Sequence, residues 1–237
     1  MRFEWATRSD VGRMRDHNED SAWPTEDGST NDVLTVAVAD GMGGHAGGEI
    51  ASATALDTAV AVGGDPAMRV QAANVAVVDA ARQRPRLSGM GTTLTLALLD
   101  PDGDLDIAHV GDSRAYLLRD RMLEQLTHDH SYVAEMIAAG KLTPQEAEIH
   151  PYRSVLTRAV GLGPAIEVDS HGFVLETGDR LLLCSDGLTS MLSNEKVSEI
   201  LCGDDSSPGV AADALVAAAN EAGGADNITV IVIDITE

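Results

Sequence analysis

Three apolar runs in this 237-residue chain end on an aspartate, and a fourth begins on one. VAVAD closes at Asp40 with Gly41 next, IAHVGD closes at Asp112, LLLCSD closes at Asp186 with Gly187 next, and DNITVIVID opens on Asp226. An aspartate beside a glycine ordinarily marks a turn, and that reading accounts for any one of the four. It does not account for all of them together. Each sits where a core strand fixes the backbone, and carboxylates held near one another repel unless a cation neutralises them. A site built only from oxygen donors selects a hard divalent ion, Mg2+ or Mn2+, over zinc.

Other chemistries fail on spacing. The acidic run Asp100, Asp102, Asp104, Asp106 lacks the glycine and terminal glutamate of a calcium-binding loop and reads as a solvated hairpin. His128 and His130 have no HExxH context and no cysteine partner, so they read as loop residues. Gly41, Gly43 and Ala46 satisfy a loose dinucleotide fingerprint, but Asp40 would aim a carboxylate at the pyrophosphate and no βαβ unit follows. Glycines there instead allow the backbone to approach an ion, with the Gly41 carbonyl as a ligand. Neither Cys184 nor Cys202 has the arginine six residues on that a thiolate phosphatase loop needs, and no GxSxG elbow exists. Asp104–Leu105–Asp106 departs from the aspartyl-phosphate motif and lies beside a turn. Covalent catalysis is not indicated.

The elements that must hold these carboxylates are short. Residues 33–39, 92–99, 105–110, 114–119, 166–175, 180–184 and 228–235 are apolar or β-branched runs bounded by turn residues, which predicts at least seven strands. The Asp102–Gly103 turn predicts a hairpin and so an antiparallel sheet. Helical periodicity occupies 47–62, 66–82, about 131–139, 194–201 and 208–222; Ser207 caps the last, Pro208 suits its first turn, and Gly223–Gly224 end it. Helix blocks between strand blocks predict an α+β layered fold with helices outside packed sheets. Residues 141–165 are the least periodic and read as a flap.

Composition narrows the partners. With 38 acidic and 16 basic residues the net charge is −22, and no Lys/Arg run offers a grip on nucleic acid or anionic lipid. At 44% apolar residues the chain is folded rather than disordered. The start MRFEWATRSD has no signal-type apolar stretch and no run is long enough to span a bilayer. Two isolated cysteines point to a reducing compartment, so the chain is expected in the cytoplasm, alone or as the cytosolic part of a longer, membrane-tethered protein. No coiled-coil seam is present, and a monomer is expected.

The motifs SDVGRMRDHNEDS (9–21), VADGMGGHAGGE (38–49), GTTLT (91–95), AHVGDSRAY (108–116), LTHDHS (126–131), RAVG (158–161), LLCSDGL (182–188) and DNITVIV (226–232) occur in order along the chain. In these it resembles the metal-dependent protein phosphatases of type 2C, the PPM family, in their bacterial form, over essentially all 237 residues. The resemblance implies a single catalytic domain spanning 1–237, folded as a four-layer α/β/β/α sandwich of two mainly antiparallel sheets. It implies that Asp40 bridges two metal ions, with the Gly41 carbonyl on the second and Asp186 and Asp226 on the first. It also implies that the Asn18–Glu19–Asp20 motif places acidic groups beside the two ions, directly or through water, with Asp20 the favoured metal contact. Asp112 with Asp186 resembles a third metal site, to which Ser154 adds a backbone ligand, and Arg15 resembles the residue that grips phosphate, its planar fork holding two phosphoryl oxygens.

The activity implied by the resemblance is that of a phosphoserine/phosphothreonine protein phosphatase using Mn2+ or Mg2+, two ions in the core site and a third beside them. Water activated between the ions attacks phosphorus in line, with no covalent intermediate. Its partners are phosphorylated proteins, kinases and their substrates among them. The animal branch has a histidine where this chain has Met42, which cannot donate a proton; water on the metal is then the donor, with His45 a lesser candidate. A regulatory pseudophosphatase is the competing class, and the intact Asp40, Asp186 and Asp226 argue against it. A phosphatase specialised for one partner is a further alternative.

Overall fold

The strand β12 (Ile228–Thr236) explains the layering of the whole molecule. Six consecutive residues from Ile228 to Ile233 are buried, which a strand with one wet face cannot show. Ile231, Ile233 and Ile235 enter a core shared with Val36, Val38, Leu99 and Ile107, which belong to a second sheet. Ile228, Val230 and Val232 point the other way, onto Leu215, Ala211 and Leu201 of helices. Each fully buried Ile or Val contributes roughly 1.5–3 kcal/mol, so a strand covered on both faces is a main anchor of the fold.

The computed structural model describes residues 1–43, 47–203 and 207–237. The first sheet joins β1 (Arg2–Asp10), β3 (Gly28–Thr30), β8 (Arg114–Arg119), β9 (Met122–Gln125) and β11 (Arg180–Cys184) to β12 in the order β3-β1-β12-β11-β8-β9. The second has the order β10-β7-β6-β4-β2, from β2 (Asp20–Trp23), β4 (Leu34–Met42), β6 (Leu94–Leu99), β7 (Asp104–Val110) and β10 (Asp169–Val174), with the two-residue β5 (Gly91–Thr92) also paired to β4. All ladders are antiparallel. Helices α1 (Gly47–Ala61) and α2 (Pro66–Gln83) cover the second sheet, where Ala51, Ala55 and Ala59 recur every turn and let α1 lie close to β4. Helices α5 (Asp186–Thr189), α6 (Asn194–Leu201) and α7 (Pro208–Glu221) cover the first. The α/β/β/α sandwich of two antiparallel sheets is therefore observed.

The local signals fare unevenly. Ser207 accepts from the Val210 amide with Pro208 in the first turn, and Gly223 and Gly224 both take positive φ after α7. Gly103 turns the β6–β7 hairpin with φ +105°. Strand β1 lies outside the expected strands, because Arg2, Glu4 and Arg8 break up its apolar residues, yet it pairs along its full length with β12. The expected strand 166–175 is shorter, and no residue of β10 is buried, as suits an edge. Within 141–165 lies a short helix, α4 (Pro144–Glu148), closed by a Thr143/Glu146 capping box, next to α3 (Tyr132–Ala138). No helix among the described residues is long and apolar enough to cross a membrane.

Candidate metal centre

Both sheets deliver acids to one end of the sandwich. Asp40 lies on β4, Asp20 opens β2, and Asp112 follows β7; Asp186 follows β11, and Asp226 precedes β12. A cleft of about 490 Å3 at that end is lined by Arg15, Glu19, Asp40, Gly41, Asp112, Ser154, Asp186 and Asp226, together with His17 and Met42. Every expected metal- or phosphate-binding residue except Asp20 is on that wall. Asp20 stands directly opposite Asp40 in the β2–β4 ladder and accepts a 2.7 Å bond from the Ser185 hydroxyl.

The backbone at each acid is locked. The Asp40 amide donates to Thr93 Oγ1 at 2.9 Å, and its carbonyl accepts from the Thr93 amide at 2.9 Å and from Thr92 Oγ1 at 2.8 Å. A Cβ on Gly41 would collide with the Gly48 carbonyl at the start of α1, and one on Gly187 with the Asn227 carbonyl, which is why glycine follows both Asp40 and Asp186. Asp112 is held through its neighbour: the Gly111 amide donates to His130 Nδ1 at 3.0 Å and the Gly111 carbonyl accepts from the His130 amide at 2.7 Å. His130 is thus neutral, kept below the usual imidazole range chiefly by burial, and its Nε2–H faces Asp169 at 3.1 Å. The sequence places His130 in a loop, and it is there, but as a buried clamp.

The electrostatics are those of an unneutralised cluster. Burial pushes Asp20 up to about 7, with the charges of Asp186 and Asp226 adding to it, and Asp112 up to about 8, with Asp186 adding. Asp40 is held well above the carboxylate range by burial and then by Asp20, Asp186 and Asp112, and Asp186 is raised by burial and then by Asp226. Like charges facing each other across a ladder, as Asp20 and Asp40 do, destabilise a sheet. Buried oxygens of Glu19, Asp20 and Asp186 have no hydrogen-bond partner. An uncommitted buried carboxylate oxygen costs several kcal/mol unless a cation takes it, so the donor set fits hard divalent ions. Among the described residues no three acidic or imidazole side chains cage a single point by themselves. Backbone oxygen such as the Gly41 carbonyl, and water, would therefore complete each shell.

Three positioning residues carry no signal in the sequence. Asn227 accepts the Glu19 amide at 2.8 Å and donates to the Val11 and His17 carbonyls at 2.9 Å each, which fastens the segment carrying Arg15. Ser185 holds Asp20, and Thr93 holds Asp40. They lie within the quoted motifs, Ser185 and Asn227 next to an aspartate and Thr93 in GTTLT away from any acid, and nothing in their spacing marks them. Arg15 is half-exposed at the rim, with Nη2 on Asp226 Oδ2 at 2.6 Å. Glu19, beside the favoured Asp20 in its motif, lines the cleft. His45 lies outside the described residues. Cys184 is buried and its thiol is pushed up to about 12 by burial, so it supplies no thiolate.

The family model of protein phosphatase 2C matches residues 13–204. The chain belongs to the protein phosphatase 2C family. It is 40% identical over 240 residues to the serine/threonine phosphatase stp of Listeria monocytogenes, an alignment covering 96% of this chain and 94% of that one. It is also 40% identical over 246 residues to the serine/threonine protein phosphatase PstP of Mycobacterium tuberculosis, covering 99% of this chain and 45% of the longer relative. Its structure superposes on that of the M. tuberculosis PstP/Ppp with a TM-score of 0.91 at 38% identity, over all of both chains. The PstP catalytic domain in complex with two manganese ions gives a TM-score of 0.88 at 37% identity, covering 100% of this chain and 99% of that one. This member of the protein phosphatase 2C family is a serine/threonine phosphatase whose substrates are phosphoproteins.

Proposed function

We propose that Asp40, Asp186 and Asp226, with the Gly41 carbonyl, hold two Mn2+ or Mg2+ ions, that Asp20 stands beside them, and that Asp112, Asp186 and Ser154 hold a third. The single observation that carries this reading is the set of partnerless buried oxygens on Asp20, Asp186 and Glu19, at the end of the sandwich where burial and mutual repulsion raise four aspartates. When bound, the ions supply an activated water and neutralise charge developing on the phosphoryl oxygens. The protein does the rest. Arg15, anchored through Asn227, turns the free donors of its fork into the cleft and orients the phosphate for in-line attack. Met42 lines the cleft and offers no proton, so solvent there protonates the leaving alkoxide.

Residues 1–237 act on this reading as one catalytic domain, a monomer in the cytoplasm, with 141–165 as a flap, and oppose protein kinases on phosphorylated proteins. The free Cys184 and Cys202 support a reducing compartment. The test is hydrolysis of a phosphothreonine peptide by wild type and Asp186→Ala with Mn2+, Mg2+ or chelator. Phosphate release that needs metal and disappears in the variant is expected; no release by folded, metal-binding wild type would favour the pseudophosphatase.

A further inference from the structure

Helix α3 carries the sequence YVAEMIA, and none of its residues is buried. A short helix so rich in apolar side chains normally turns one face into a core. This one faces a second cavity of about 500 Å3, where Val133, Ala134 and Ile137 of α3 and Ala147 of α4 stand across from Met191 and Leu192, which follow α5. The cavity is continuous with the metal cleft, since Asp112, Ser154 and Asp186 line both.

Its walls are preformed. Arg114 donates Nε and Nη2 to the two oxygens of Asp129 at 2.8 and 2.7 Å and Nη1 to the Tyr116 hydroxyl at 2.9 Å. The Tyr116 hydroxyl in turn donates to Asn194 Oδ1 at 3.2 Å, at the start of α6. On the other side the Tyr132 amide donates to the Val155 carbonyl at 2.8 Å and the Thr157 amide to the His130 carbonyl at 2.8 Å, which pins both ends of the α3–α4 segment. Arg114 and Asp129 are therefore committed to each other, and Asp112 and Asp186 to the metal centre. What is left to meet a ligand is the apolar surface of α3, Ala147, Met191 and Leu192, with Glu148, Arg153, Ser190 and Ser193 as polar neighbours on the same wall.

We propose that this cavity receives an apolar side chain of the phosphoprotein from a residue flanking the phosphorylated serine or threonine. The inference rests on the phosphatase reading above, because a phosphate at the metal centre places the neighbouring substrate residues at the shared wall of Asp112, Ser154 and Asp186. An anionic membrane surface does not suit a chain of net charge −22. The apolar contact gives the enzyme a preference among phosphorylated sites that the metal centre, which meets only the phosphate, does not provide.

The experiment compares phosphothreonine peptides that differ only in carrying Leu, Ala or Asp at the flanking positions, with p-nitrophenyl phosphate as a substrate too small to reach the cavity. Wild type is expected to favour Leu over Ala by about tenfold in kcat/KM, the scale of a hydrophobic pocket, with the difference in KM. Ile137→Asp, at a position 36% exposed where the fold is not at stake, should abolish the preference and leave p-nitrophenyl phosphate turnover unchanged, while Ile137→Leu keeps it. Equal rates for Leu and Ala peptides at every position would overturn the proposal, as would a preference that survives Ile137→Asp or a matching loss on both substrates. Sedimentation showing a wild-type dimer that Ile137→Asp dissociates would assign the surface to a second copy instead. Were neither substrate hydrolysed with Mn2+ or Mg2+, the phosphatase reading would fall, and fluorescence anisotropy of the Leu and Ala peptides would decide the cavity by itself.

Discussion

Strand β11 carries an aspartate at each end, and the two have opposite fates. Before it, Asp179 is 3% exposed and its oxygens accept bonds of 2.8 and 2.6 Å from Arg119, with the Glu176 amide adding a third at 2.8 Å. Beyond it, Asp186 has a buried oxygen with no partner and faces other acids. The same contrast runs through the molecule, with Asp234 on Arg180 and Asp129 on Arg114, against Asp20 and Asp40 facing each other. Burial alone does not mark an active carboxylate. The missing counter-charge does, because a fold has no reason to bury uncompensated acids unless a cation completes them.

The sharpest way to break that contrast is to neutralise one acid at the site end. Asp186→Asn should lower kcat/KM about a thousandfold or more, the scale of several kcal/mol of lost charge stabilisation, while the chelated protein melts no lower than wild type, since a repulsion has been removed. A lower melting temperature in chelator would show Asp186 to be a structural acid like Asp179. Arg15→Ala should cost about ten- to a hundredfold in kcat/KM and leave Mn2+ stoichiometry intact, as calorimetry would read. At the opposite end Arg119→Ala should spare turnover per folded molecule and cost about 2 kcal/mol in denaturant unfolding, less than a fully buried pair because Arg119 is partly exposed.

The smallest effect is on pH. Asp20 and Asp112 have folded values near 7 and 8, above their unfolded values, so the stability they lend the metal-free protein is present at low pH and lost as pH rises through 7 to 8. Metal binding needs the same groups ionised. The gain in melting temperature from Mn2+ should therefore grow from about pH 6 to about pH 8, a difference in which the neutral His109 and His130 largely cancel. A constant gain would mean these acids are not the ligands.

Much of the site is legible in the sequence, and the reason is physical. Asp40 lies near the end of β4, and Asp112 and Asp186 follow β7 and β11, strands whose residues are buried on both faces, so the apolar run itself announces where each carboxylate stands. Strands β4, β6, β7, β8, β11 and β12 stand out for the same reason, and the helices α1, α2, α6 and α7 by their helical periodicity. Strand β1 is hidden by its alternating charges, and β9 by having no buried residue. The capping box at Thr143 and Glu146 is present in TPQE, but a five-residue helix gives no periodicity to draw attention to it. Asn227 and Thr93 act through backbone groups of residues distant in sequence, which spacing along the chain cannot reveal.

The pairing of β1 with β12 also sets when the protein becomes an enzyme. These strands lie side by side along nine residue pairs, Arg2 opposite Thr236, so β1 must wait for a partner more than 200 residues further along the chain. Pairing residues so far apart in sequence slows folding, so the closure of β1 on β12 is expected late. Asp226 stands immediately before β12 and reaches the metal centre only with that closure. During refolding, phosphate release should consequently lag behind collapse and secondary structure, so that hydrolysis itself timestamps insertion of β12 between β1 and β11.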